Sequence, residues 1–531
     1  MKAKKNKRER SAQMRQVSAG LQDVLGMTQW RKEHPKATWQ EIETAVDERI
    51  NQLRAQLIED LVQMGESEGW EQKPEAERPR CATCGKALAV RGEHTRFIQT
   101  QGGEAVKLTR AYGTCPECGV GFFPLDEQLG LLSSGVTPRA EELLVRLGTW
   151  MSFDHARELL SDLLGVQVSR ATARRATLWA GEAALAVCEA ETERLKQEAP
   201  PVPLGAHKQA MSADGAFVLL VGGVWAEVKT LVLGEVTRNQ QGEICTQHLS
   251  AFSRLCDVEH FEQATLLETH RRGLEKAAQV CAVQDGAEWL PGLVDHHRAD
   301  AVRILDFAHA AEHLGEVAQA AREAGSELGD DWLSTQLHEL KHQGPSQVLA
   351  DVRALVARHP EVKGLRDQLA YLEKREAQMQ YPTFLAAGWP IGSGSVESAN
   401  KVMVEARLKG AGMHWQRHNV NPMLVLRNAV GNRRWQETWN ASWTRRRALG
   451  ATQQHQRSQQ RLMSACWTLA AVTMRLQRMG CPPAPARATT TASAPGEKAT
   501  PRPGSGYSWR KPFLRRPPSS SIGPGGFSAK K

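Results

Sequence analysis

The spacing of apolar residues along this chain changes from one segment to the next, and each change predicts a different kind of element. Between residues 38 and 64, Ile42, Val46, Ile50, Leu53, Leu57, Leu61 and Met64 recur every three or four positions. That is the stripe of a helix, suited to packing within the chain or to a dimer seam. Phe97 to Thr109 then reads as two short strands around Gly102 and Gly103, a hairpin signal. Helical spacing returns over 138–181. Ala156, Leu159, Leu160, Leu163 and Leu164 share a face, Gly165 ends that helix, and Ser169 caps the next. From about residue 205 strands are expected at 209–215, 226–233 and 243–253, then a helix over 257–277, a buried strand at 278–284 and a fifth strand at 301–305. Residues 310–380 read as helical and largely polar. The Gly/Pro/Ser loop from Gly388 onward leads into a helix opened by Ser395 with Glu397 in its first turn. Trp435, Trp439 and Trp443, every four residues, have the spacing of helix core rather than of a base-stacking platform.

These elements predict a multidomain α/β protein. A basic arm and helical segment would cover 1–75, a zinc ribbon 76–130 and a helix-turn-helix 131–200. Three strands, a helix, a strand, a helix, a strand and a late helix follow the ribonuclease-H-like order. A catalytic domain of that kind is expected over 201–445, with a helical insertion at about 310–380. A further helix is expected over 446–481, and a disordered basic tail over 482–531.

Charge sharpens this division. The net charge of +9 is concentrated at the ends, +5 in residues 1–10 and +8 in residues 482–531, which leaves the stretch between at −4. Basic arms of this kind suit neutralising phosphates. No apolar run is long enough to span a bilayer, and the basic start is not followed by the apolar stretch of a secretion signal. Ten cysteines in 531 residues do not make a disulfide scaffold. The expectation is a cytoplasmic protein with no membrane partner.

Four of the cysteines carry chemistry. Cys81-Ala-Thr-Cys84-Gly and Cys115-Pro-Glu-Cys118-Gly are two Cys-x-x-Cys knuckles, and four thiolates make a closed, structural zinc site. Acids mark a second site. Asp214 lies on the first strand of the expected sheet, Asp285 follows the fourth, and Glu397 sits on the late helix. Converging at one sheet edge, they could hold two magnesium or manganese ions about 3.5–4 Å apart for phosphodiester chemistry. Asp306 ends the fifth strand and is the alternative second acid, with His309 and His313 beside it. His309-Ala-Ala-Glu-His313 also spells an inverted zinc-protease motif, a reading that explains none of the ribbon, the arms or the helix-turn-helix. Residues expected to meet DNA are Arg170, Arg174 and Arg175 on the basic second helix, with Thr177 near their face, and Lys401, Arg407 and Lys409 after the glutamate. Ser393, Ser395 and Asn400 could also approach phosphates.

Several stretches together resemble the bacterial DDE-type insertion-sequence transposases, specifically the ISKra-like group. They are Cys115-Pro-Glu-Cys-Gly-Val-Gly-Phe-Phe-Pro-Leu-Asp126, Ser212-Ala-Asp-Gly215, Asp285-Gly-Ala-Glu-Trp289, Leu305-Asp-Phe-Ala-His-Ala-Ala-Glu-His313, Pro390-Ile-Gly-Ser-Gly-Ser-Val-Glu-Ser-Ala-Asn400 and Arg407-Leu-Lys-Gly-Ala-Gly-Met-His-Trp415. The resemblance runs from about 75 to 440, and the glutamate motif is its most specific part. It implies metal-dependent cutting at element ends and joining to target DNA, with Asp214, Asp285 and Glu397 as the acids. Joining two ends implies a homodimer or larger assembly on double-stranded DNA. A DNA-binding regulator descended from such an enzyme is the non-catalytic alternative.

Overall fold

The computed structural model describes residues 26–450 apart from Ser133. The first ten residues, the tail over 482–531 and most of the helix expected over 446–481 lie outside the described residues.

A short helix, α1 (Met27–Glu33), precedes α2 (Trp39–Gln63), which begins at a capping box. Glu41 N–H donates to the Thr38 hydroxyl, and Thr38 N–H donates to the Glu41 carboxylate at 2.7 Å. The ribbon hairpin consists of β1 (Ala89–Gln99) and β2 (Ala105–Thr114), paired antiparallel, with β3 (Gly121–Phe122) on the edge of β2. Helix α2 is tied to this hairpin by Arg54, which donates to the Thr100 hydroxyl, and by Lys107 N–H, which donates to Glu59. The apolar stripe of α2 is largely not packed within the chain. Ile50, Leu57, Leu61 and Met64 are exposed, and Ala45 and Ala55 are its buried residues.

Beyond α3 (Pro124–Gln128), three helices pack together: α4 (Pro138–Trp150), α5 (Phe153–Leu164) and α6 (Arg170–Glu198). Gly165 ends α5, and the Ser169 hydroxyl accepts Thr172 N–H at 3.1 Å to start α6. Ala156 and Leu160 are buried as expected, whereas Leu163 is 71% exposed. The hairpin tip rests on this group, with Gly102 N–H donating to the Leu164 carbonyl.

The sheet follows. Strands β4 (Lys208–Leu219), β5 (Trp225–Arg238) and β6 (Ile244–Arg254) form an antiparallel meander. After α7 (Val258–Arg271), β7 (Gln279–Gln284) adds parallel to β4. After α8 (Leu290–Arg298), β8 (Val302–Leu305) adds parallel to β7. The order is β6-β5-β4-β7-β8, a mixed five-stranded sheet. One face is sealed by Phe261 of α7 and by Leu290, Leu293 and Val294 of α8.

The helical stretch comprises α9 (Phe307–Glu323), α10 (Trp332–His342), α11 (Pro345–Arg358), α12 (Lys363–Lys374) and α13 (Tyr381–Ala386). Despite its polar composition it has a core of its own. Leu314, Val317, Leu340, Val352, Leu355, Leu365 and Leu372 run continuously into Cys281, Val283 and Ile304 of the sheet. Next come α14 (Gly394–Ala399), a π-helical turn at Asn400–Glu405, α15 (Ala406–Leu408) and α16 (Arg417–Gly431). Helix α14 packs across β4, β5 and β6. Residues 435–450 are helical. Trp435 and Trp439 are buried there, and Arg446, fully buried, pairs with Glu141 of α4 at 2.6 Å.

Candidate metal centres and acidic site

The two cysteine knuckles close on each other. Cys81 Sγ lies 3.4 Å from Cys118 Sγ, and Cys84 Sγ lies 3.3 Å from Cys115 Sγ. The glycine after each pair has a positive φ, 72° at Gly85 and 67° at Gly119, which lets the chain turn back around the sulfurs. Burial pushes the Cys81 thiol up, but the backbone N–H groups of Cys84 and Thr83 and the neighbouring sulfurs outweigh it and bring it to about 7. Among the described residues this is the one group of three or more cysteine, histidine or acidic side chains whose ligand atoms all lie within 4.8 Å of one another. Four thiolate-forming sulfurs in that arrangement can bind a structural zinc.

The acidic site is built by strand register. Met211 pairs with Ala282 across β4 and β7, so Asp214 and Asp285, three residues further on, emerge at the same level. Asp214 is half-buried. Its Oδ1 accepts Gly215 N–H at 2.6 Å, and its Oδ2 accepts Asn400 Nδ2 at 2.8 Å. Burial raises its pKa, Gly215 and Asn400 oppose that rise, and the charges of Asp285 and Glu397 add to it. Both carboxylates are therefore within electrostatic reach of Asp214. They do not form as tight a cluster as the sulfurs.

Asp285 sits in a loop held by the helical stretch. Tyr371 OH donates to the Asp285 carbonyl at 2.9 Å, and Arg375 donates to the Gly286 carbonyl at 2.6 Å. Gly286 has φ 85°, and a side chain there would collide with the Tyr371 hydroxyl, so both conformation and space require glycine. His313 stacks on Tyr371 with centroids 3.7 Å apart, and the Nε2 atoms of His309 and His313 are 3.2 Å apart.

Asp306 is more deeply buried than Asp214, 3% exposed. Its Oδ1 accepts Ala308 N–H at the start of α9, and its Oδ2 accepts both the N–H and the hydroxyl of Ser393. With both oxygens engaged, it fastens the loop that leads to Glu397. This also corrects the helix start. Ser393, not Ser395, stands at the cap position of α14, and its hydroxyl goes to Asp306 rather than to the helix. Glu397 itself is exposed.

The glutamate motif is anchored at both ends. Lys208 at the start of β4 donates to the Ala387 carbonyl and lies 3.8 Å from the centroid of the Trp389 ring. At the far end Trp415 N–H donates to Leu219, and Val221 N–H donates back to Trp415.

Comparison with protein-family models finds no match to this chain, and comparison with curated proteins finds no matching sequence. The chemistry of the site therefore rests on its own geometry.

Of the residues expected at a DNA surface, Arg170, Arg174 and Arg175 are exposed on α6, with Arg170 3.3 Å from Asp154. Thr177 is fully buried, its hydroxyl bonded to the Ala173 carbonyl. Lys401 and Lys409 are exposed, and Lys409 pairs with Glu405. Arg407 is a correction. It is buried, donates to the Gly148 carbonyl at 3.0 Å and lies over the rings of Phe153 and Trp415. With Arg427, which donates to the Thr149 and Met403 carbonyls, it ties the end of α4 to the π-helical turn. Ser393 and Asn400 are likewise buried and engaged with Asp306 and Asp214. Asn400 is the site residue whose role the sequence pattern missed. Its position one turn after Glu397 was the available signal.

Proposed function

We propose that this chain is a DNA transposase, with Asp214, Asp285 and Glu397 as the acids that cleave and rejoin DNA strands. The observation that carries this reading is that Asp214 and Asp285 emerge at the same level of paired strands while Glu397 stands on the helix packed across β4, near enough for the charges of both to raise the pKa of Asp214. Strand order β6-β5-β4-β7-β8, with the glutamate helix packed across β4, β5 and β6, supports a ribonuclease-H-like domain over 201–445. A helix ended by Gly165, a short turn and the exposed arginines of α6 support a DNA-facing helix-turn-helix, with the ribbon as its zinc-stabilised neighbour.

The donor set fits magnesium or manganese, since carboxylates are hard oxygen ligands and a divalent cation would offset the charges that Asp285 and Glu397 direct at Asp214. Two such ions, when bound, activate a water or a 3′-hydroxyl and stabilise the oxygen that leaves. The protein's part is rigidity. Gly215 and Asn400 fix the Asp214 carboxylate, Tyr371 and Arg375 fix the Asp285 loop, and Asp306 fixes the loop before Glu397. Glu397 stands on the open side, where a DNA strand can approach. Joining element ends to target DNA calls for a homodimer or larger assembly, acting in the bacterial cytoplasm on the nucleoid. The test uses purified protein and labelled DNA from the flanks of its own coding sequence. Cleavage that requires magnesium or manganese supports the enzyme. Binding without cleavage in either metal overturns it in favour of a regulator.

A further inference from the structure

Asn400 opens the π-helical turn that follows α14, three residues beyond Glu397. Residues three apart on a helix share a face, and π-helical turns recur at functional positions. Its side chain is 5% exposed. Nδ2 donates to Asp214 Oδ2 at 2.8 Å, and the buried Oδ1 has no hydrogen-bond partner. The amide orientation follows from chemistry. An ionised carboxylate only accepts hydrogen bonds, so it is the NH2 group that faces Asp214 Oδ2 and the oxygen that is left without a partner. A buried amide oxygen without a donor is costly.

We propose that Asn400 belongs to the divalent-cation site. Its Nδ2 positions Asp214, and its Oδ1 supplies a neutral oxygen to the cation or to the cation's water shell. This rests on the reading of Asp214, Asp285 and Glu397 as cation-binding acids. Amide oxygens are ordinary ligands of hard cations. Here a neutral one adds a donor without adding a fourth negative charge where the acids already repel one another.

The test is manganese binding by the full chain without DNA, followed through the electron paramagnetic resonance signal of free Mn2+, for wild type, Asn400→Leu and Asn400→Asp. Asn400→Leu is expected to weaken Mn2+ binding by about tenfold, the scale of losing a supporting group at a metal site. Asn400→Asp keeps an oxygen and is expected to retain wild-type affinity or better. Because it loses the donor to Asp214, it should cut DNA more slowly even at saturating metal. If Asn400→Leu lowers stability in urea but leaves Mn2+ affinity unchanged, the residue is merely structural and the proposal is overturned. Should Asn400→Leu fail to fold, a tenfold loss of Mn2+ affinity in Asn400→Asp overturns it instead. Wild-type DNA cleavage separates the two readings. A protein that cuts DNA but binds Mn2+ without regard to Asn400 loses this inference and keeps the transposase. One that binds Mn2+ through Asn400 yet never cuts DNA keeps the cation site and loses the transposase.

Discussion

At Asp214 a single carboxylate is both supported and crowded. Hydrogen bonds from Gly215 and Asn400 hold it in place, while burial and the charges of Asp285 and Glu397 raise its pKa. A carboxyl whose folded pKa lies above its unfolded value of about 4 contributes stability while it is protonated at low pH. That contribution is lost as pH rises through the folded value, so near neutrality the ionised group works against the fold. Asp214→Asn is therefore expected to raise the Tm of the metal-free protein at pH 7, with the gain shrinking as the pH falls toward 4. Thermal melts across that range check it, and a lower Tm at pH 7 would contradict the crowding. Asp306 is held by three donors, the N–H of Ala308 and the N–H and hydroxyl of Ser393. Asp306→Asn should cost about 1–2 kcal/mol in urea unfolding, the worth of a cap plus a buried hydrogen bond, and leave Mn2+ affinity unchanged. A loss of affinity equal to that of Asp285→Asn would instead return Asp306 to the metal.

Among the elements, the ribbon and the helical stretch make separable contributions. Four sulfurs at 3.3–3.9 Å across two knuckles can share a cation that holds them as thiolates. Cys115→Ser should abolish the zinc, one ion per chain by atomic emission, and expose the β1–β2 hairpin to proteolysis while the five-stranded sheet persists. A full zinc complement in that variant would contradict the four-cysteine site. The helical stretch acts through Tyr371 and Arg375. Tyr371→Phe removes one hydrogen bond to the Asp285 carbonyl and should cost about 1 kcal/mol. DNA cleavage should fall with it, whereas an unchanged rate would make the contact irrelevant to the site. Much of this architecture was legible in spacing, because alternation and buried runs specify strands and the i, i+3, i+4 pattern specifies helices. The expected strand at 209–215 runs on to Leu219 because β4 and β5 continue past the parallel strands as a hairpin with exposed Phe217 and Trp225. Apolar spacing says nothing about a π-helical turn, which is why Asn400 read as a residue that could approach phosphates rather than as a partner of Asp214. Arg407 read as surface because its neighbours are polar and glycine-rich. What buries it is the end of α4, some 259 residues away, and no local pattern carries that.

For the whole molecule, the hairpin tip rests on the three helices through Gly102 and Leu164, those helices reach the sheet core through Leu178, and Arg407 and Arg427 link the end of α4 to the turn that follows Glu397. On the proposed transposase reading, a DNA-holding part and a strand-cutting part are joined in this way, and the acids are the decisive residues. The most direct measurement is cleavage of labelled element-end DNA in magnesium by wild type, Asp214→Asn, Asp285→Asn, Glu397→Gln and Asp306→Asn, with DNA binding measured alongside. The account predicts that the first three variants bind DNA as wild type does and cut at least 1,000-fold more slowly, on the order of 4 kcal/mol of transition-state stabilisation, and that Asp306→Asn retains measurable cutting. Undiminished cleavage by Asp214→Asn or Glu397→Gln would contradict it.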